Sequence, residues 1–206
     1  MIMEHESEPV RGLPGKLPEG ERMLWQGAPD WRIFARTALH TRWIGGYFGL
    51  LALLALVTGS PVGAVVTVLG GLLCQALFAG FAVLVARTTV YTITDRRIVL
   101  RIGVALSTCI NLPLKAIGSA DLRELPGDAG DIALTLTQEH RLGYAVLWPH
   151  ARPWRFGKPQ PMLRALAHAP EAAKILTKAC ASASATVRKD SCDRDLAPVP
   201  LREAAA

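Results

Sequence analysis

Between Trp43 and Ala86 the chain runs for 44 residues without Asp, Glu, Lys, Arg or His. A helix that crosses ~30 Å of hydrocarbon needs ~20 mostly apolar residues, because each adds ~1.5 Å. Two such lengths fit here, and Gly59-Ser60-Pro61 lies between them as a turn signal. The pattern predicts a transmembrane helical hairpin over residues 44–86, with Ile44–Thr58 as one arm and Val62–Ala86 as the other. Core helices of soluble proteins seldom keep an apolar run this long without a charge.

On either side the periodicity changes. Trp31–Trp43 reads as a short basic amphipathic helix lying on the membrane surface, with Asp30 as N-cap. Arg32, Arg36 and His40 form one stripe, and Trp31, Phe34, Ala35 and Ala38 form another. From Arg87 onward apolar and polar residues alternate. Strands are expected at 88–93, 98–102, 106–112, 118–125, 132–137 and 142–148, with turns at Thr94-Asp95-Arg96-Arg97 and at Pro126–Gly130. That is a small antiparallel barrel or sandwich. Met162, Leu163 and Leu166 then open a helical region that Pro170, Ile175, Leu176 and Ala179 continue. From Ser182 the apolar period ends, and a disordered tail is expected. The domain plan is thus an N-terminal cytoplasmic segment (1–30), an interfacial helix (31–43), the hairpin (44–86), the β domain (87–181) and the tail (182–206).

Charge orients this plan. Net charge is +6 over 206 residues, but residues 1–30 hold three basic and six acidic side chains. Arg32, Arg36 and Arg42 follow without an acid, and residues 87–158 hold ten basic and six acidic side chains. Both outer flanks of the hairpin are basic and its turn is uncharged. The positive-inside rule therefore puts both termini in the cytoplasm, on an integral inner (intracytoplasmic) membrane protein. With the basic excess beside the spans, anionic lipid is the expected partner and nucleic acid is not. Cys74, Cys109, Cys180 and Cys192 form no C-x-x-C pair and are expected as free thiols.

Candidate chemistry is sparse. No phosphate-binding, dinucleotide, nucleophile-elbow or zincin motif occurs, and the five histidines lack metal spacing. An enzyme is not expected. Histidine is also missing from both spans, which removes the commonest metal-ligating side chain for a chlorophyll or haem, and no cofactor is expected. Gly45, Gly49 and Gly70 are candidates for close helix packing, with Gln75 as an interhelical hydrogen-bonding group. Small residues beyond those the hairpin needs leave a face for a second copy or for another membrane protein. Trp25 and Trp31 suit either interfacial anchoring or a docking motif. Arg152, Trp154 and Arg155, among four prolines, suit a headgroup, a protein surface or a solvated loop.

Two resemblances add to this reading. A hairpin followed by TTVYTITDRRIVLRIG, NLPLKAIGSADL, GDIALTL and a C-terminal helix resembles the bacterial pleckstrin-homology-like (PH-like) domains of membrane proteins, over about residues 87–180. That resemblance implies a bent antiparallel sheet closed by the helix; Arg96 and Arg97 of the turn join Trp25, Trp31, Arg152, Trp154 and Arg155 as candidate partner-binding residues. The segments LPEGERMLWQGAPDWR (17–32) and GYAVLWPHARPWRFGKPQPMLRAL (143–166) are similar to the photosynthetic-complex assembly proteins of purple bacteria encoded beside the reaction-centre H subunit. This second resemblance implies a non-catalytic assembly factor for the reaction centre and its core antenna polypeptides, with the H subunit as candidate partner. A generic lipid- or partner-binding membrane protein with the same β domain is the competing class. Pigment delivery is a third.

Overall fold

The computed structural model describes residues 12–13, 15, 17–104, 106–137 and 142–195, with side chains as far as residue 185. The expectations for residues 1–11, for 196–206 and for the Cys192 thiol lie outside the described residues.

The apolar stretch forms two helices, α2 (Thr41–Val57) and α3 (Pro61–Thr88). The turn between them closes as its residue types suggest. Gly59 takes a left-handed φ of 78°, Ser60 caps α3 by accepting from the Gly63 amide at 3.3 Å, and Pro61 stands at the first helical position. Small residues face inward: Ala52, Ala64, Gly71 and Ala82 are buried. Leu50, Leu53, Leu69, Leu72, Leu73 and Leu77 are each more than half exposed. Among the described residues α3 is the one helix long and apolar enough to cross a membrane by itself. The 17-residue α2 reaches that length only together with α1 (Trp31–Thr37), from which it is bent by 58°.

That bend corrects the single amphipathic helix expected over 31–43. His40 adopts a left-handed φ of 53° and breaks the chain between α1 and α2. Asp30 does cap α1, accepting from the amides of Arg32 (2.7 Å) and Ile33 (3.2 Å). The apolar side of α1 is not left for lipid, because Phe34 and Ala35 are buried against Ala82, Val85 and Ala165.

Seven strands form two antiparallel sheets. In the first, β1 (Met23–Gly27), β2 (Val90–Thr94), β3 (Arg97–Ile102) and β4 (Thr108–Pro113) lie in that order. In the second, β5 (Ile117–Glu124), β6 (Gly130–Leu136) and β7 (Met162–Leu166) do so. A 3-10 turn at Leu114–Ala116 links them, and α5 (Ala169–Asp195) packs against both. Alternate residues of the first sheet (Tyr91, Ile93, Ile98, Leu100) meet Ile132, Leu134, Leu163 and Leu166 of the second, with Leu176 of α5 closing the core.

Four expectations are corrected here. Residues 23–27, assigned to a separate N-terminal segment, are a strand of the β domain: Gly27 lies opposite Tyr91 and Met23 opposite Thr94. The hairpin is therefore an insertion between the first and second strands. The run at 142–148 is not a strand but contains one short helical turn, α4 (Tyr144–Leu147), whose Leu147 plugs the core. Residues 162–166, expected as helix, are β7, paired with β6 (Ile132 opposite Leu163). Five residues with apolar side chains at all but Arg164 fit either period, and here the open edge of β6 decides it. Finally, α5 passes Ser182 and continues to Asp195, so the expected tail starts as helix. Its Ala-rich sequence from Ala179 to Ala185 favours that continuation even without an apolar stripe.

Candidate functional site

Inside the hairpin, Gln75 of α3 reaches across to α2, and its Nε2 donates to the Thr41 carbonyl at 2.8 Å. Gly45 makes this possible: a Cβ there would fall 2.7 Å from Gln75 Nε2. One turn deeper a Cβ on Gly71 would fall 2.8 Å from the Phe48 side chain, so Gly71 is a second point where the helices pack closely. Gly70, a candidate for that role, has nothing within 4 Å of its Cβ position, and neither has Gly49. The packing glycine is thus the immediate neighbour of the expected one, a helical rotation of about 100° that sequence alone did not set.

The candidate partner-binding residues separate into three groups. Trp25 and Arg97 are committed to the fold. Trp25 is half-buried on β1, packs against the core and covers Gly27, whose missing side chain leaves room for the indole. Arg97 clasps Glu21 bidentately, Nε to Oε1 at 2.9 Å and Nη2 to Oε2 at 2.8 Å, while the Thr94 hydroxyl also donates to Oε1 at 2.8 Å. The Arg97 hydrogen bonds hold the Glu21 carboxyl below the usual carboxylate range, and Glu21 in turn raises the guanidinium. Arg152 belongs to the second group, semi-exposed and pinned. It pairs with Asp121 at 3.1 Å and donates to Gln160 Oε1 at 3.1 Å.

The third group is available at the surface. Arg96 is exposed at the β2–β3 turn, and Arg155 is exposed on the loop after α4. Trp154 is 87% exposed and takes a left-handed φ of 64°. Phe156 beside it is also largely exposed and rests on Tyr144, with ring centroids 4.8 Å apart. Trp31 is partly exposed at the start of α1, with the Arg32 guanidinium 5.3 Å from its ring centroid. Trp148 lies against Phe81 of α3 at 5.7 Å, which ties this aromatic loop to the hairpin.

A polar cluster at the junction of hairpin and β domain escaped the sequence reading. His150 is fully buried between Tyr91, whose hydroxyl lies 2.7 Å from Nδ1, and Thr89, whose hydroxyl lies 3.2 Å from Nε2. Burial, reinforced by Arg164, pushes the imidazole down to about 3, so it is neutral, and burial pushes the Tyr91 phenol well up. The Arg164 amide donates to the Tyr91 hydroxyl at 3.2 Å, and its guanidinium donates to the Pro149 carbonyl at 2.9 Å. Next to it Ala165 has a positive φ of 55°. Its amide donates to Asp131 at 2.8 Å and its carbonyl accepts from the Asp30 amide at 2.8 Å. Partners 59 to 73 residues apart give no local spacing signal. The cue that existed was a lone histidine beside two tryptophans in a loop.

Among the described residues no group of three or more His, Cys, Asp or Glu side chains could hold a metal ion. The junction cluster centres on the fully buried His150 and Tyr91. Its arrangement suits rigid coupling of the helices to the sheet.

Residues 42–179 match the bacterial PH domain family. The chain is also 38% identical over 186 residues to an uncharacterized 23.7 kDa protein in the puhA 5′ region of Rhodobacter capsulatus. The match covers 85% of this chain and 87% of that relative. No solved structure matches significantly.

Proposed function

This chain belongs to the bacterial PH domain family, and from that premise we propose that it is a membrane-anchored, non-catalytic assembly factor for the photosynthetic reaction centre and its core antenna. The observation that carries the proposal is the relative in the puhA 5′ region, a photosynthesis-related context, matched over most of both chains. The hairpin supports the anchored part. Its large apolar side chains face outward and its small ones inward, the arrangement that suits lipid as solvent.

On this reading α2 and α3 stand beside newly inserted reaction-centre helices. The β domain, fixed to them through the Tyr91–His150–Thr89 hydrogen bonds and the Asp30–Ala165 contact, holds a cytoplasmic face toward the partner. Arg96, Trp154, Arg155 and Phe156 are the exposed groups on that domain best suited to contact it. The reaction-centre H subunit is the candidate partner.

The test is a mild-detergent pull-down of the tagged full chain from phototrophically induced membranes, read by mass spectrometry. Reaction-centre subunits in sub-stoichiometric or immature form are the expected result. Their absence, with loss of the gene leaving reaction-centre content unchanged, would overturn the proposal in favour of a general membrane protein that uses the same domain.

A further inference from the structure

Two grooves on the hairpin meet at Gln75. The first, about 250 Å³, opens between α1 and α3 and is lined by Trp31, Arg32, Ala35, Arg36 and Thr41 as well as Gln75. The second, about 200 Å³, follows α2 and α3 past Gly45, Phe48, Gly49, Val68 and Leu72. Together they place two arginines, then an amide, then a wholly apolar trough in sequence along the helices.

Each part has an unused capacity. Arg32 and Arg36 stand one helical turn apart, both exposed, and neither pairs with an acidic side chain among the described residues. Gln75 spends its Nε2 on the Thr41 carbonyl, and its carbonyl oxygen has no hydrogen-bond partner among those residues. Beside Gly49 the trough is open, with nothing within 4 Å of a Cβ. Cations followed by an apolar trough match the order of phosphodiester and acyl chain in an anionic phospholipid, with Gln75 at the level of the glycerol region between them. A trough this narrow does not take a helix ~10 Å across, but it takes a methylene chain.

We propose that these grooves form a binding site for one anionic phospholipid, its phosphodiester held by Arg32 and Arg36 and one acyl chain laid along Gly49. The site rests on the reading that α2 and α3 lie in a bilayer. Bound there, the lipid would wedge α1 against the hairpin and fix the angle at His40.

The test uses the full chain in nanodiscs of phosphatidylglycerol and phosphatidylcholine in equal amounts, released for native mass spectrometry. One phosphatidylglycerol retained in preference to phosphatidylcholine is expected. Replacing Arg32→Gln and Arg36→Gln should lower that preference by about fivefold per arginine, whereas Arg32→Lys with Arg36→Lys should keep most of it. Gly49→Leu should fill the trough and reduce retention of both lipids without unfolding the chain, which circular dichroism would check. Equal retention of the two lipids by the wild type, or a preference that ignores both sets of changes, would overturn the site. Failure of the bilayer reading is told apart because the wild-type chain would then wash off membranes with alkaline carbonate.

Discussion

The hairpin and the β domain draw on the same Leu, Val, Ile and Ala side chains and place them in opposite ways. In the β domain Ile93, Leu100, Ile132 and Leu134 point inward, and β2 is buried along its whole length. In the hairpin Ala64, Gly71 and Ala82 are inside, and Leu69, Leu72, Leu73 and Leu77 are outside. Water as solvent drives the first arrangement, since each large side chain removed from it contributes ~1.5–3 kcal/mol. In lipid no such gain exists, and on the proposed reading close backbone approach with an interhelical hydrogen bond holds the pair together. The contrast is the physical basis for reading a bilayer around α2 and α3.

The largest expected effect comes from removing the same side chain in each region. Leu134→Ala should cost about 2–5 kcal/mol in urea unfolding of the full chain in detergent. Leu69→Ala, on the outer face of α3, should stay within about 0.5 kcal/mol. A comparable loss at both sites would break the comparison.

Next in size is the Glu21–Arg97 clasp. Glu21→Ala leaves Arg97 and the Thr94 hydroxyl without their acceptor and should cost about 2–3 kcal/mol. Because the Glu21 pKa is depressed in the fold, its contribution is complete above the ordinary carboxylate range. It fades as pH falls through the lowered value. Urea titrations of wild type and variant should therefore converge in strong acid.

His150 acts in a different window. Its folded pKa of about 3 lies below the unfolded value near 6.5, so the unfolded chain binds the extra proton between them. Stability should be full above pH ~6.5 and fall by at most about 1.4 kcal/mol per pH unit toward pH 3. His150→Phe should flatten that slope. An unchanged slope would remove the buried imidazole from the account of the junction.

The smallest effect belongs to Gln75. Gln75→Leu should loosen the hairpin by about 1 kcal/mol, read as a shift in detergent or thermal denaturation. Gly45→Leu should do more, since its side chain would displace the Gln75 amide as well.

What could be read from the sequence divides along the same line. The hairpin was legible almost to its ends, because a charge-free run and a Gly-Ser-Pro break are local signals. Strands β2 to β6 were legible within a few residues for the same reason. Strand β1 was not, because its partner β2 follows 63 residues after Gly27 and only pairing reveals it as a strand. Strand β7 looked helical for want of a long enough period. Among the candidate residues, composition pointed to the Gln75 interhelical bond but could not show that Arg97 is committed to Glu21, nor that Gly71 and not Gly70 faces Phe48. Those are questions of rotation and register, which depend on the packed partner.

The most direct measurement of the central claim is cysteine accessibility across the membrane of intact cells. Ser60→Cys puts a thiol in the turn between α2 and α3, and Trp154→Cys puts one on the exposed loop of the β domain. The account predicts that a membrane-impermeant maleimide labels the cysteine at 60 from outside the cytoplasmic membrane, while the one at 154 reacts only after lysis. Labelling of both only after lysis would contradict it: the hairpin would then not cross, and its outward leucines would need another explanation.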